Sequence, residues 1–320
     1  MNSNPILIIA GEPFSIFSEI LFKSFKKNKF SKPLILIGSF NLFQKQMKHL
    51  NFNIPFNQIN KNFNYRELKK NKINIIDINF SFKKIFQKIN NSSNNYNQKC
   101  FDLALQLIKK RNFAGLINGP ISKKNFLRNK FLGITEYMAK KTSSKNYAML
   151  IFNDKLSVSP LTTHLPLKNV ARSIKKKNII NHVILIKSFY KKYFKKNPVI
   201  AITGLNPHCE SNYFKSEENF TIKPAIKELN KTYSKIYGPY SADSLFMKDN
   251  IKKFDVVVGM YHDQVLSPIK AIYNFDSINI TLGLPFVRIS PDHGTNNQMA
   301  GKNLSNPLSL TKAIKFLDKR

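Results

Sequence analysis

PILIIAGEP at residues 5–13, followed by PLILIGS at 33–39 and NLFQKQMKHL at 41–50, sets the pattern from which the fold is read. A short aliphatic run closed by Gly, Glu and Pro predicts a strand, and the segment after Gly11-Glu12-Pro13 predicts a helix. PLILIGS repeats the strand signal and NLFQKQMKHL the helical one. Such alternation implies βα units and a largely parallel sheet. Residues 51–71 and 88–98 are rich in Asn and Lys without clear period, which predicts loops. A helix is expected over about 96–111, where Phe101, Leu105 and Ile108 share a face with Ala104 and Leu107. It leads into the strand FAGLI and the loop Asn118-Gly119-Pro120-Ile121-Ser122-Lys123. From Val170 to Phe194, Ile179, Val183, Ile186, Tyr190 and Tyr193 form one stripe among lysines, which predicts a core-facing helix with a lysine-rich solvent face.

A chain of 320 residues can bury a large core and favours two domains or one large α/β unit. Its net charge of +34 suggests a polyanion partner, but the make-up of that charge argues otherwise. Among 52 basic residues only Arg66, Arg111, Arg128, Arg172, Arg288 and Arg320 are arginines, whereas base and phosphate recognition favours the bidentate guanidinium. Lys, Asn, Ile and Phe are inflated together, as A- and T-rich codons would produce, so no specific nucleic-acid partner is expected. Cys100 and Cys209 stand far apart without zinc-finger or CxxC spacing, which fits a reducing cytoplasm. No run approaches the ~20 apolar residues needed to cross a bilayer, and the apolar run Ile6 to Ala10 is too short for a signal-peptide core.

Three histidines each follow an apolar, strand-like run: His164 after LSVSPLTT, His208 after PVIAITGLNP and His262 after FDVVVGMY. Strand carboxyl ends form the ligand face of an open α/β sheet, so three imidazoles delivered there can converge on one metal ion. One alone would be read as a hydrogen-bonded structural residue. Three in the same topological position, beside Thr162, Thr163, Asn206, Asp263 and Gln264, point to a metal-dependent enzyme. Neither GxGxxG nor GxxxxGK[ST] occurs, so a nucleotide must be held without a Rossmann fingerprint or P-loop.

GPISK (119–123), GITEYMA (133–139), TTHLPL (162–167), GLNPH (204–208), GPYSADSLF (238–246), MYHDQ (260–264), TLGLPFVRISPDHGT (281–295) and AGK (300–302) resemble, in order, the 4-hydroxythreonine-4-phosphate dehydrogenase family of vitamin B6 synthesis. The resemblance implies an α/β, non-Rossmann fold similar to the isocitrate and isopropylmalate dehydrogenases: two α/β/α domains flanking a cleft. It places one domain at 1–125 plus 290–320 and a central one, with the metal ligands and dimer interface, at 126–289. Carried over by motif, His164, His208 and His262 are the metal ligands, for zinc, cobalt or magnesium, one per subunit. Imidazole nitrogen favours the first two. Thr135, Lys270, Asn279 and Arg288 fall on the family's substrate contacts, and Ile134 stands where the family has a substrate-touching His. Lys270 and Arg288 suit a phosphorylated, carboxylate-bearing substrate, with Arg288 in a Gly/Pro-bounded loop of apolar neighbours.

His293, Gly294 and Thr295 match the adenine-side cofactor loop of the isopropylmalate dehydrogenases, which implies NAD or NADP. Asp243 and Asp263 are candidate proton acceptors or partners for imidazole N–H groups. The implied reaction oxidises 4-phosphooxy-L-threonine in a homodimer that completes each site, followed by decarboxylation. Three departures stand out: Ile134; Pro13-Phe14-Ser15-Ile16-Phe17-Ser18-Glu19 where the family has a glycine-rich PAGIGPE; and Cys209-Glu210-Ser211-Asn212-Tyr213 where it has a glycine-rich turn. Two other readings stand beside this one. One is a dehydrogenase of another phosphorylated four-carbon acid, erythronate or threonate 4-phosphate; the other is a decayed, basic nucleic-acid-binding homologue.

Overall fold

β1 (Ile6–Ile9) is buried at every position, as a strand covered on both faces must be. A computed structural model describes residues 4–127, 130–209, 215–274 and 276–320. The chain divides into two units, Met1–Ile134 with Phe286–Arg320, and Thr135–Pro285, so both chain ends build the first. That unit continues through α1 (Phe17–Lys27), β2 (Leu34–Gly38), α2 (Phe40–His49), β3 (Phe56–Gln58), β4 (Ile73–Asp77), α3 (Ser93–Lys110) and β5 (Gly115–Asn118). The second unit carries α4 (Ile134–Lys141, whose first residue closes the first unit), β6 (Ala148–Phe152), β7 (Ser157–Thr162), α5 (Val170–Ser173), α6 (Lys176–Phe194) and β8 (Ile200–Thr203). It goes on with α7 (Lys223–Thr232), β9 (Ile236–Tyr240), α8 (Ala242–Leu245), α9 (Lys248–Ile251), β10 (Val256–Tyr261), α10 (His262–Tyr273) and β11 (Ile278–Leu282). β12 (Arg288–Pro291) and α11 (Leu308–Asp318) return to the first unit.

In the first unit the strands lie in the order β3-β4-β2-β1-β5-β12, all parallel. Each wholly buried Ile or Leu contributes about 1.5–3 kcal/mol of burial. In the altered segment Pro13–Glu19, Phe14 and Phe17 are wholly buried, Phe14 against Phe80 at 5.6 Å and Phe17 edge-on to Phe43 at 6.4 Å. The turns after β1 and β5 touch backbone to backbone, with Glu12 N–H donating to Pro120 C=O at 2.8 Å. A Cβ on Gly119 would lie 2.2 Å from Ala10 O, which explains the glycine of GPISK. Two acids go inside: Glu12 accepts from the Ser93 hydroxyl at 2.8 Å, and Glu19 accepts from Lys23 at 2.8 Å.

The second unit's strands run β11-β6-β7-β10-β8-β9, and here the largely parallel sheet expected from sequence has one local exception. β7, β10, β8 and β9 are parallel, but β6 is antiparallel to both β7 and β11. Asn153–Leu156 alone joins β6 to β7, a connection too short for a parallel crossover. Val265, Leu266 and Ile269 of α10 pack with Val158, Ala201 and Val257 of the strands, seating that helix on the sheet.

Other local expectations shift. Residues 51–71 hold β3 and a 3-10 turn at Tyr65–Glu67, and α3 begins at Ser93 inside the stretch expected as loop. The single helix expected over Val170–Phe194 is interrupted at Ile174 and Lys175, where the backbone is extended, giving α5 and α6. Lys187 departs from the lysine-rich solvent face. It is buried, its ammonium donating to Asn197 Oδ1 and Ser234 C=O at 2.7 Å each. Glu210 to Tyr213, part of the altered turn after NPH, lie outside the described residues. Among the described residues no helix is long and apolar enough to cross a membrane.

Candidate active site

β7, β10 and β8 are adjacent and parallel, so their carboxyl ends open on one edge of the second unit. His164 lies two residues past β7, His262 is the first residue of α10 directly after β10, and His208 lies five residues past β8. Two side chains tie these ends together. The Thr162 hydroxyl donates to Met260 C=O at 2.7 Å. Gln264 Oε1 accepts from Met260 N–H at 2.7 Å and the Thr203 hydroxyl at 2.8 Å, while its Nε2 donates to Gly204 C=O at 2.8 Å. Gln264 thereby pins the first turn of α10 to two strand ends.

His164 and His262 come together, their ring centroids 5.9 Å apart, on a cavity of about 420 Å³ also lined by Thr163, Leu165, Tyr261 and Asp263. Two imidazoles sharing one cation at ~2.1 Å would have centroids roughly 5–6 Å apart. The donor pair therefore fits a shared metal. His208 does not join them within the protomer: among the described residues no group of three or more His, Cys, Asp or Glu is placed to hold an ion. Its side chain is 76 % exposed, and its backbone is left-handed at φ 56°. For a non-glycine residue that conformation stores of order 1–3 kcal/mol, the kind of strain that collects at functional sites.

Each histidine presents Nδ1 to a carboxylate, which directs Nε2 the other way. His262 Nδ1 lies 2.7 Å from Asp263 Oδ1, His208 Nδ1 3.9 Å from Asp243 Oδ2, and His164 Nδ1 3.9 Å from Glu136 Oε1. The Ser241 hydroxyl, with Ser244 N–H and His208, holds the exposed Asp243 carboxyl below the usual range. Burial alone would raise Glu136, but His164 and the Thr163 hydroxyl outweigh it and its carboxyl sits low.

Thr135 is buried, its hydroxyl 3.5 Å from that of Thr281, while Ile134 is half-buried at the start of α4. Asn279 lies in β11, and among the described residues its Oδ1 is buried without a hydrogen-bond partner, an acceptor suited to a ligand's donor. Lys270 is exposed on α10. In the first unit, Arg288 is not in a loop. It opens β12, paired with Leu116 and 0 % exposed, and its Nε donates to Asn118 Oδ1 at 2.7 Å. The apolar flanks Val287 and Ile289 carry it into the sheet. His293, Gly294 and Thr295 follow β12, with Thr295 C=O accepting from Ile16 N–H at 3.2 Å.

Sequence reading missed two acids. Glu136 directly follows Thr135 in the GITEYMA motif. Glu218, wholly buried, accepts from Leu205 N–H at 2.7 Å and Asn206 N–H at 2.8 Å through Oε1, and from Asn206 Nδ2 at 2.9 Å through Oε2. Burial alone would raise its carboxyl, but these bonds outweigh that and hold it low. Glu218 thus braces the loop that delivers His208. A carboxylate placed by contacts distant in sequence leaves no local signal.

The family profile described as pyridoxal phosphate biosynthetic protein PdxA matches residues 29–317. The chain belongs to that family. It is 36 % identical over 316 residues to the 4-hydroxythreonine-4-phosphate dehydrogenase of Sulfurihydrogenibium sp. (strain YO3AOP1), covering 97 % of this chain and 96 % of that one. It is 28 % identical to the D-threonate 4-phosphate dehydrogenase of Salmonella typhimurium, covering 99 % and 98 %. The crystal structure of 4-hydroxythreonine-4-phosphate dehydrogenase from Klebsiella pneumoniae superposes with a TM-score of 0.84 at 26 % identity, covering 98 % of each chain. An isocitrate dehydrogenase from Methylococcus capsulatus, at TM-score 0.51 and 12 % identity over 97 % of this chain and 83 % of that one, shares the fold. As a member of the PdxA family the chain is an enzyme, a dehydrogenase.

Proposed function

We propose that this enzyme oxidises the C3 hydroxyl of 4-phosphooxy-L-threonine with NAD or NADP, giving 2-amino-3-oxo-4-phosphooxybutanoate. That product loses carbon dioxide to leave 3-amino-2-oxopropyl phosphate, on the route to pyridoxine 5'-phosphate. The observation that carries the proposal is the His164–His262 pair on one cavity, spaced as two ligands of one cation are. Its 36 % identity to a dehydrogenase of that name supports the choice of substrate.

His164, His208 and His262 would hold one divalent cation per subunit, zinc or cobalt ahead of magnesium; when bound, it supplies Lewis acidity toward the substrate hydroxyl and the carbonyl formed from it. The chain's own residues do the rest. Asp263 fixes the His262 tautomer through Nδ1 at 2.7 Å, and Asp243 plays that part for His208 or takes the hydroxyl proton. Lys270 and Arg288 bind the phosphate and carboxylate, Thr135 and Asn279 orient the substrate, and His293, Gly294 and Thr295 contact the nicotinamide cofactor. A homodimer is proposed because His208, 76 % exposed, stands outside the pair in its own protomer and so is available to a site that a second copy completes.

A second reading has a specific observation behind it. Ile134 stands where the family has His, and a relative acting on D-threonate 4-phosphate aligns along the whole chain. Formation of reduced cofactor should therefore be followed with 4-phosphooxy-L-threonine, D-threonate 4-phosphate and erythronate 4-phosphate, each with NAD and NADP, with and without zinc. Turnover of the first above a metal-stripped control supports the proposal; turnover of only the others selects the second reading; none with any refutes both.

A further inference from the structure

We infer that Glu136, a residue without an assigned role, is the positioning carboxylate of His164: it sets which imidazole nitrogen is left to bind a metal ion. The inference rests on the proposed reading of His164 as a ligand. Glu136 lies in the first turn of α4, where the helix dipole favours a carboxylate, and Thr135 anchors that turn by burial against Thr281. From there Oε1 accepts the Thr163 hydroxyl at 3.0 Å and faces His164 Nδ1 at 3.9 Å, so one oxygen spans two consecutive residues of the loop after β7. That loop lines the cavity it shares with His262. Oε2 is buried, and among the described residues no hydrogen-bond donor reaches it, so the carboxylate has acceptor capacity left for an imidazole N–H.

Two features favour a positioning role over a merely structural one. The contact falls on Nδ1, which orients Nε2 away from Glu136. A carboxylate also stands on the Nδ1 side of the other two histidines, Asp263 hydrogen-bonded to His262 at 2.7 Å and Asp243 at 3.9 Å from His208, as Glu136 is from His164. A carboxylate behind a ligating imidazole fixes the ring's tautomer and orientation and raises its basicity, and losing one typically costs 10–100-fold in metal affinity.

Two readouts test this on the full-length protein. Cobalt(II) affinity is measured by titration calorimetry for wild type, Glu136→Gln and Glu136→Ala, with the exposed Asp249→Asn as control. In parallel, the tautomer of His164 is read from ¹⁵N-histidine spectra of the metal-free protein at alkaline pH, where six histidines give few signals. Expected are a 10–100-fold loss of affinity in Glu136→Ala, a smaller loss in the isosteric Glu136→Gln, and none in the control. His164 should move from the Nδ1–H form in wild type toward the Nε2–H form in Glu136→Ala. Unchanged cobalt affinity with an unchanged His164 tautomer would overturn the inference. If wild type binds no cobalt, the metal reading fails, and the tautomer alone then decides whether Glu136 positions the ring.

Discussion

Replacing Glu218 by Ala should release the loop that carries His208. Three bonds are lost at once, to Leu205 N–H, Asn206 N–H and Asn206 Nδ2, all between 2.7 and 2.9 Å and all charge-assisted. At about 1.5–3 kcal/mol each their plain sum would overshoot, because the amides regain water when the loop opens. A local loss of about 3 kcal/mol is the reasoned figure, a factor of roughly 150 in the opening equilibrium. Hydrogen exchange resolved at Leu205 and Asn206 should accelerate by about two orders of magnitude, while α6 and the β10 amides stay protected. Dehydrogenase kcat/KM should fall with it, since a ligand misplaced by an ångström can lose about a hundredfold. Glu218→Gln separates charge from shape. Glu218 is depressed below its ordinary value of 4.5, so its stabilisation is complete above that pH and disappears as pH falls through the lowered folded value. The Gln variant should lack that acid-dependent loss. Exchange at Leu205 and Asn206 within threefold of wild type in Glu218→Ala would refute the bracing role.

His182 accepts no charge easily: burial depresses it to about 4 from 6.5, and its Nε2 lies 2.6 Å from the Ser159 hydroxyl, which donates to Met149 C=O. The unfolded chain takes up a proton first, so stability should fall by about 3 kcal/mol between pH 6.5 and 4, and His182→Asn should flatten that slope in urea unfolding followed across the range. Ile134→His should restore a donor worth ~1.5–3 kcal/mol and raise kcat/KM for 4-phosphooxy-L-threonine about 10–100-fold in steady-state assays; an unchanged value would show that the position does not touch substrate. Dialysis against a chelator should abolish turnover, and zinc or cobalt should restore it more fully than magnesium at equal concentration.

The strands most legible in sequence are those with unbroken aliphatic runs, β1 and β2, which need no partner to be recognised. β4 escaped notice because Asn74 interrupts INIID. Asn74 is nevertheless wholly buried: its amide donates to Leu34 and Lys69 carbonyls at 3.0 and 2.9 Å, and its Oδ1 accepts from Lys69 N–H and Asn57 Nδ2 at 2.9 Å each. A fully bonded amide costs little inside a sheet, but no local pattern distinguishes it from an exposed one. That three histidines follow strand ends was legible because an apolar run closed by polar residues is itself a local signal. Glu136, Glu218 and the buried Lys187 were not, since acids and lysines in a helix read as solvated until tertiary contacts turn them inward. Arg288 lay on the same boundary: its apolar neighbours were visible, but not that they carried it into the ladder.

With only 18 acidic residues against 52 basic ones, the burial of Glu12, Glu19 and Glu218 has an effect beyond the loops they brace. It takes three acids from an exterior already short of counter-charge, in a molecule whose net charge of +34 makes it a polycation. Two such copies repel over a screening length that shrinks from about 30 Å at 0.01 M salt to about 8 Å at 0.15 M. Self-association should therefore strengthen as ionic strength rises toward the physiological value, the reverse of what attraction between oppositely charged faces would produce.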